Sequence, residues 1–306
     1  MRQYIIRKLL SLIPAFAGVS VIVFLMVHIP EGDPIYMIVS SQASPQYIER
    51  VRHDLGLDKP LYIQYGVFMK NLLMGKLGRS IVQHKQISSL ILDKAPNTLA
   101  LCMTTLVISY VLAIPLGMIS AIKRGTLIDA FAMAIAVAGM AIPQFWLGLI
   151  LLLVFAVELG WFPAMGCGGI RHLVLPVITL AGYYISLAAR TTRSGTLNAL
   201  RQDYVRTAKA KGLSEWVVVY KHILRNSIIP IITLFGMELG WLMGGAVAIE
   251  VVFSRPGLGR LLIDSIYARD YPVVQILVLG LAITVMLGNL LADVLYAVVD
   301  PRIRYA

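Results

Sequence analysis

Charge is scarce in this chain. Only 14% of its 306 residues are Asp, Glu, Lys or Arg, while 58% are hydrophobic. A soluble domain of this length carries nearer about a quarter charged residues. The apolar residues gather in runs close to the length that crosses a ~30 Å hydrocarbon layer. An ordinary soluble domain is thereby excluded, and an all-α polytopic membrane protein is expected. Cysteine is scarcer still. Cys102 and Cys167 are the only two, which excludes a disulfide framework. Cys102 lies in an apolar run and reads as a small packing residue; Cys167 lies in a Gly-rich loop and has no assigned role.

Motifs of catalysis are missing too. There is no G-x-x-x-x-G-K-[ST] string, and Gly75-Lys76 is followed by Leu77. H-E-x-x-H, paired-Cys and G-x-S-x-G patterns are absent. The chain is therefore expected to be no enzyme and to hold neither ATP nor a metal by itself. His28, His53, His84, His172 and His222 are scattered over different segments, and Glu31 beside His28 is too isolated to build a metal site.

What is present is a positive excess, +11 at pH 7. In a soluble protein that balance suggests nucleic acid. Here much of it sits in short loops between apolar runs, where it carries topology information, so no nucleic-acid partner is expected. The N-terminal Arg2, Arg7 and Lys8 precede an apolar run, and Ala15-Phe16-Ala17 mimics a cleavage site. The run continues to about residue 29, so a retained first span is expected rather than a removed signal.

Six spans are expected at 9–29, 98–121, 129–158, 172–192, 228–251 and 272–299. Ile142-Pro143 predicts a kink in the third, and Pro176 and Gly182 interrupt the fourth. Lys and Arg fall before span one, at Lys123-Arg124, through 190–225, and at Arg302 and Arg304. In a six-span chain all these groups share one side, so both termini are expected in the cytoplasm. Arg255, Arg260 and Arg269 are the exception, partly offset by Asp264 and Asp270. The organisation follows: an N-terminal span over 1–30, an extracytoplasmic cap over 31–97, and a core of five spans over 98–306. Helical spacing in the cap predicts short helices over 45–55 and 61–73. Trp161, in Gly160-Trp161-Phe162-Pro163, reads as an interfacial anchor.

Between spans four and five lies a polar, basic stretch, 203–225. Asp203 to Ala210 predicts a short helix with Tyr204, Val205 and Ala208 on one side and Arg206 and Lys209 on another. Gly212 predicts a left-handed stop. Leu213 and Ser214 then begin a second helix, with Ser214 as cap and Leu213 stapled to Val218. Pro230 fits a further helix start. Such a helix–turn–helix either docks a soluble partner or lies on anionic membrane lipid.

Two acids stand inside apolar runs, where charge is costly and often functional. Glu238 is a candidate for lining a path or for an internal hydrogen bond. Glu250 is a candidate gate or loop brace, with Arg255 as partner. Gly240, Gly244 and Gly245 suit close packing on a sister subunit. Asn289 and Asp293 share one face of span six and suit internal contacts.

The string Asp203-Tyr204-Val205-Arg206-Thr207-Ala208-Lys209-Ala210-Lys211-Gly212-Leu213, followed by His222-Ile223-Leu224-Arg225-Asn226 and Pro230, resembles the cytoplasmic coupling loop of ABC-importer permeases. The likeness is to the first permease of the dipeptide/oligopeptide/nickel group. The general family loop begins Glu-Ala-Ala; here Arg206 and Thr207 replace its acid and first Ala. Further matching strings are Gly32-Asp33-Pro34, Leu55 to Pro60, Leu175-Pro176, Glu250 to Ser254, Pro256-Gly257-Leu258-Gly259, Arg269 to Val273 and Asp300-Pro301-Arg302.

The resemblance implies a permease subunit of a binding-protein-dependent importer in a bacterial inner membrane. It implies a homologous sister permease, two ATPase subunits, identical or different, that bind ATP and Mg, and an extracytoplasmic solute-binding protein. Asp203, Tyr204, Arg206, Thr207, Ala208, Lys209, Gly212 and Leu213 would then couple to an ATPase. Dipeptides or oligopeptides are the expected solutes, with nickel, metal chelates or glutathione as alternatives. An ion-coupled secondary transporter is a reading from another class.

Overall fold

The computed structural model of the chain describes residues 2–26, 44, 46, 49, 50, 52, 53 and 58–299. The helix expected over 45–55 falls largely outside the described residues. So do His28, Glu31, Gly32-Asp33-Pro34, Leu55 to Leu57, Asp300-Pro301-Arg302 and Arg304.

Among the described residues the fold is helical. Helix α1 is Arg2–Leu25, α2 Leu61–Leu73, α3 Ile87–Ile122 and α4 Leu127–Ala141. Helix α5, Gln144–Leu151, continues as π-helical turns over Leu152–Glu158. Helix α6 is Arg171–Leu200 and α7 is Asp203–Ala210. The short α8, Glu215–Val217, continues as π-helical turns over Val218–Leu224 and runs into α9, Arg225–Val252. Helices α10, Leu258–Tyr267, and α11, Tyr271–Val299, complete the chain.

Five of these helices, α1, α3, α6, α9 and α11, are long and apolar enough to cross a membrane. The expected third span is different. It is two limbs, α4 and α5, that meet at 99°, so the spans number six when the bent pair is taken as one. The cause is local. Pro143 has no amide hydrogen and forces Ile142 out of helical geometry, to ψ 124°. A kink was expected; a near right angle is what forms.

Other boundaries shift as well. Helix α3 begins at Ile87 rather than near residue 98, so the expected boundary at 97/98 falls inside one helix. Ile87 and Leu90 are drawn into a second apolar cluster with Leu261, Leu262 and Val273, and that burial favours earlier helical turns. Pro230 lies inside α9 rather than at a helix start.

The main core joins three spans. Leu101, Leu106 and Tyr110 of α3 meet Leu175, Leu180 and Tyr184 of α6 and Leu242, Met243 and Ile249 of α9. Helix α11 lies close along α9. A Cβ at Gly240 would sit 2.7 Å from the Val285 Cα of α11, so Gly240 serves packing within the chain. Gly244 has open space around it instead. Helix α1 is held to α11 from outside: Gln275 donates to the Val23 carbonyl at 3.1 Å, and Lys8 pairs with Asp293 at 2.9 Å. Helix α2 rests its Phe68 on Phe24 of α1, with ring centroids 5.8 Å apart.

Candidate functional site

The sequence-selected residues fall into three separate places along the bundle. The first is the helix pair between α6 and α9. Helix α7 turns Val205 and Ala208 inward, where they share a small core with Ala199, Val218 and Ile223. Asp203, Arg206, Thr207 and Lys209 are exposed on its other side, as are Gly212 and Leu213 beyond it. Tyr204 is half-buried against the small core. Ala208 therefore supports the exposed face from below and presents nothing to a partner. Asp203 stands in the first turn and Lys209 in the last, each complementing the nearer end of the helix dipole.

Gly212 stops the helix as expected. Its φ is +74°, its amide donates to the Lys209 carbonyl at 3.0 Å, and the Leu213 amide reaches the Ala208 carbonyl at 3.4 Å. Ser214 occupies the next cap position, but its side chain makes no capping bond; its carbonyl accepts from the Val218 amide at 3.1 Å. The expected Leu213 staple gives way to an exposed Leu213. The unit is joined to the spans at both ends. Two residues separate α6 from α7, and the turns over Val218–Leu224 enter α9 without a break.

At the same end of the bundle as α7, the spans are tied by a pair that sequence reading missed. Arg193 of α6 grips Asp129 of α4 with two hydrogen bonds of 2.8 Å. The Ser120 hydroxyl of α3 and the Gly125 amide also donate to Asp129, at 2.5 and 3.1 Å. In the sequence Arg193 reads as topology charge and, with Arg190, as a limit to the fourth span, with no partner. The available signal was Thr126 three positions before Asp129. The Thr126 side chain accepts from the Asp129 amide as an N-cap, and that geometry fixes where the carboxylate points.

The second place is Glu238, buried in α9. The Tyr110 hydroxyl of α3 donates to its Oε2 at 2.6 Å, while Oε1 has no partner. The Tyr110 ring also meets Phe235 edge-on at 5.1 Å. Glu238 is only 4% exposed, so in this conformation it lies between helices of its own chain.

The third place is Glu250, fully buried near the C-terminal end of α9. Its Oε2 accepts from the Gly259 and Arg260 amides at 2.7 and 3.1 Å, and its Oε1 from the Thr98 hydroxyl at 2.5 Å. Thr98 in turn accepts from the Leu258 amide at 2.8 Å. The first three amides of α10 are thus satisfied by α3 and α9, a cap assembled from distant residues. The expected Glu250–Arg255 pair does not form: the Arg255 guanidinium turns to the Asn97 carbonyl, 3.4 Å away. Burial pulls the Arg255 pKa below its ordinary value. Nearby, Asp270 accepts from the Ser80 hydroxyl and from the Ile81 amide at 3.1 Å, tying the loop before α3 to the start of α11.

No three His, Cys, Asp or Glu side chains gather around a possible metal position among the described residues. The arrangement offers a jointed element between α6 and α9, a tied bundle and a braced loop before α10.

Comparison with known proteins agrees in every part of the chain. Residues 113–305 match the model described as "Binding-protein-dependent transport system inner membrane component", and residues 1–102 match its N-terminal counterpart. Similar curated relatives include the "Glutathione transport system permease protein GsiC" of Escherichia coli O6:H1, 45% identical over 305 residues and covering 100% of both chains. The proteins of that name from Escherichia coli K12 and Shigella dysenteriae serotype 1 are 44% identical over the same length, again covering 100% of both chains. Among solved structures, a chain of the inward-facing MetNI methionine ABC transporter superposes with a TM-score of 0.59 at 20% identity, covering 70% of this chain and 97% of that one. A chain of an amino acid ABC transporter with histidines gives a TM-score of 0.52 at 16% identity, covering 68% and 94%. These two likenesses speak to the fold.

Proposed function

The chain belongs to the binding-protein-dependent transport system inner membrane components, the non-catalytic permease subunits of ABC importers, and from that premise we propose its particular place. It forms half of a translocation path with a homologous sister permease, both termini in the cytoplasm. An extracytoplasmic solute-binding protein delivers the solute. Of two ATPase subunits, which bind ATP and Mg, one seats on the exposed face of α7 through Asp203, Arg206, Thr207, Lys209 and Leu213, and the other on the sister permease.

One observation carries the reading. The α7–α8 unit has its own small core and is continuous with both α6 and α9. A push on its exposed face therefore moves spans rather than bending a loop. Packed interfaces shift between discrete arrangements more readily than they deform, which suits a two-state path.

The solute is a small peptide in this proposal. The relatives' names put glutathione first for testing, ahead of dipeptides, longer peptides, nickel and metal chelates. Reconstitution of the chain with its partner subunits tests all of it. ATP-dependent uptake of labelled glutathione is expected, and competition by dipeptides and nickel chelates ranks the alternatives. Uptake driven by an ion gradient without the ATPases refutes the assignment.

A further inference from the structure

An apolar groove of about 330 Å³ lies between the inner end of α3 and the second half of the coupling unit. Ile114, Met118, Ile119 and Ile122 form one wall, and Trp216 and Tyr220 form the other. The volume is at the small end of the ~300–1,000 Å³ range of ligand pockets. It suits a slender apolar occupant rather than a whole solute.

Three features identify that occupant. One wall is the last part of α3, a helix long and apolar enough to cross a membrane, so the groove lies at one end of a span. The other wall is a stacked aromatic pair, with ring centroids 5.2 Å apart and planes 3° from parallel. Trp216 and Tyr220 remain 72% and 54% exposed, and Trp and Tyr favour the membrane interface because each joins apolar area to a polar handle. Cations also adjoin both walls in sequence. Lys123 and Arg124 follow Ile122, Lys221 follows Tyr220, and Arg225 follows Leu224; all four are exposed. Against them the groove lining contains one acid, Glu215. Of the other acids at this end, Asp129 is gripped by Arg193 and Asp203 pairs with Arg206 at 3.9 Å.

We propose that the groove seats one acyl chain of an anionic phospholipid of the cytoplasmic leaflet, with the lipid phosphate held among Lys123, Arg124, Lys221 and Arg225. The leaflet rests on the reading of 203–225 as the cytoplasmic coupling element. Such a lipid would wedge α8 against α3 and hold the coupling unit at a set height. Bulk lipid gives the spans a solvent; this one fills a shaped seat that Trp216 and Tyr220 wall in.

The test uses the complete importer in phosphatidylcholine vesicles. The probe is a phosphatidylglycerol with a photoreactive acyl chain, compared with the phosphatidylcholine bearing the same chain. Adducts mapped to Met118, Ile119 or Trp216 are expected to favour the phosphatidylglycerol probe. Lys123→Gln with Arg124→Gln should lower that labelling about fivefold for each cation removed. Ile119→Trp, which fills the groove, should abolish it. Equal labelling by both headgroups overturns the anionic seat, and absence of adducts from these residues overturns it outright. Cross-linking of an Ile119→Cys variant to a sister permease or ATPase overturns it as well, since protein then covers the groove. ATPase recovery is measured in parallel. Labelling retained without bound ATPase supports the lipid seat while counting against the coupling reading.

Discussion

Replacing Gly257 with Ala separates a brace at Glu250 from a gate. Gly257 has an extended backbone, φ −113° and ψ −174°, so the methyl group meets no conformational objection. Its difficulty is space. A Cβ at Gly257 would fall inside the van der Waals envelope of the whole Glu250 carboxylate. Ordinary contact needs about 3.5 Å, so the carboxylate must withdraw by more than about 1 Å. It then lets go of amides held at 2.7 and 3.1 Å. A hydrogen bond to a charged group contributes about 1.5–3 kcal/mol, so losing both costs about 3–6 kcal/mol. That is a large share of a typical domain's stability.

The informative measurement is a double-mutant cycle. Gly257→Ala, Glu250→Ala and their combination are compared by the melting midpoint and recovery of the detergent-extracted complex. Each single change is expected to lower both. In the Glu250→Ala background the new methyl has room, so Gly257→Ala should add less than about 0.5 kcal/mol, leaving a coupling of roughly 3 kcal/mol. Gly244→Ala is the control, because nothing lies within 4 Å of its Cβ position. A neutral Gly257→Ala, or one equally harmful in both backgrounds, refutes the distant-cap account of α10.

Four further outcomes are expected. Gly212→Val forces a β-branched side chain into φ +74°, so it should sever ATP hydrolysis from uptake or release the ATPases; an inserted variant with recovery, hydrolysis and uptake all at the parent level removes the turn from the mechanism. Glu238→Gln keeps an acceptor for Tyr110 and should assemble normally; a change in transport of cationic against neutral solutes marks the carboxyl as path-lining, and unchanged kinetics on both classes leaves it as the internal contact alone. Arg193→Ala leaves Asp129 buried without its cation, which should cost about 3–5 kcal/mol, and Asp129→Asn placed on top should recover part of it; no recovery in the melting midpoint disproves the clamp. Single cysteines placed before residue 8, at 123–126 and after 302 should label only from the cytoplasm, and those at 40–90 from outside; outside labelling at 123–126 overturns the orientation.

Much of the fold was legible because the membrane makes apolar length a strong signal. The runs located every long helix, and apolar spacing placed α2 at Leu61–Leu73. Gly212 announced its own geometry, since a helix stop with positive φ has few other solutions. The 99° bend was legible only as a break. Pro143 says that helical geometry fails, but the angle depends on what the limbs find to pack against. Gly139 of α4, for instance, lies against the Gly182 carbonyl of α6 so closely that no Cβ fits. The start of α3 was hidden for a related reason: Lys94 and Pro96 interrupt the apolar signal, while the burial of Ile87 and Leu90 that sustains the helix comes from α10 and α11.

The buried polar pairs were the least legible, yet they obey one rule that links them. Glu238 and Glu250 stand twelve residues apart on α9, and their partners Tyr110 and Thr98 stand twelve apart on α3 in the reverse order. Cys102 and Met243, 3.7 Å apart at their sulfurs, fall between them. Two antiparallel helices in one register satisfy both acids at once, so either contact implies the other. Twelve helical residues span about 18 Å. With Glu250 near the C-terminal end of α9, Glu238 therefore lies more than halfway along a ~30 Å crossing. A shift of α3 along α9 by one turn, about 5.4 Å, would break both pairs together. The acids that resembled separate path residues are physically two pins of one joint, and anything that slides these helices must release both.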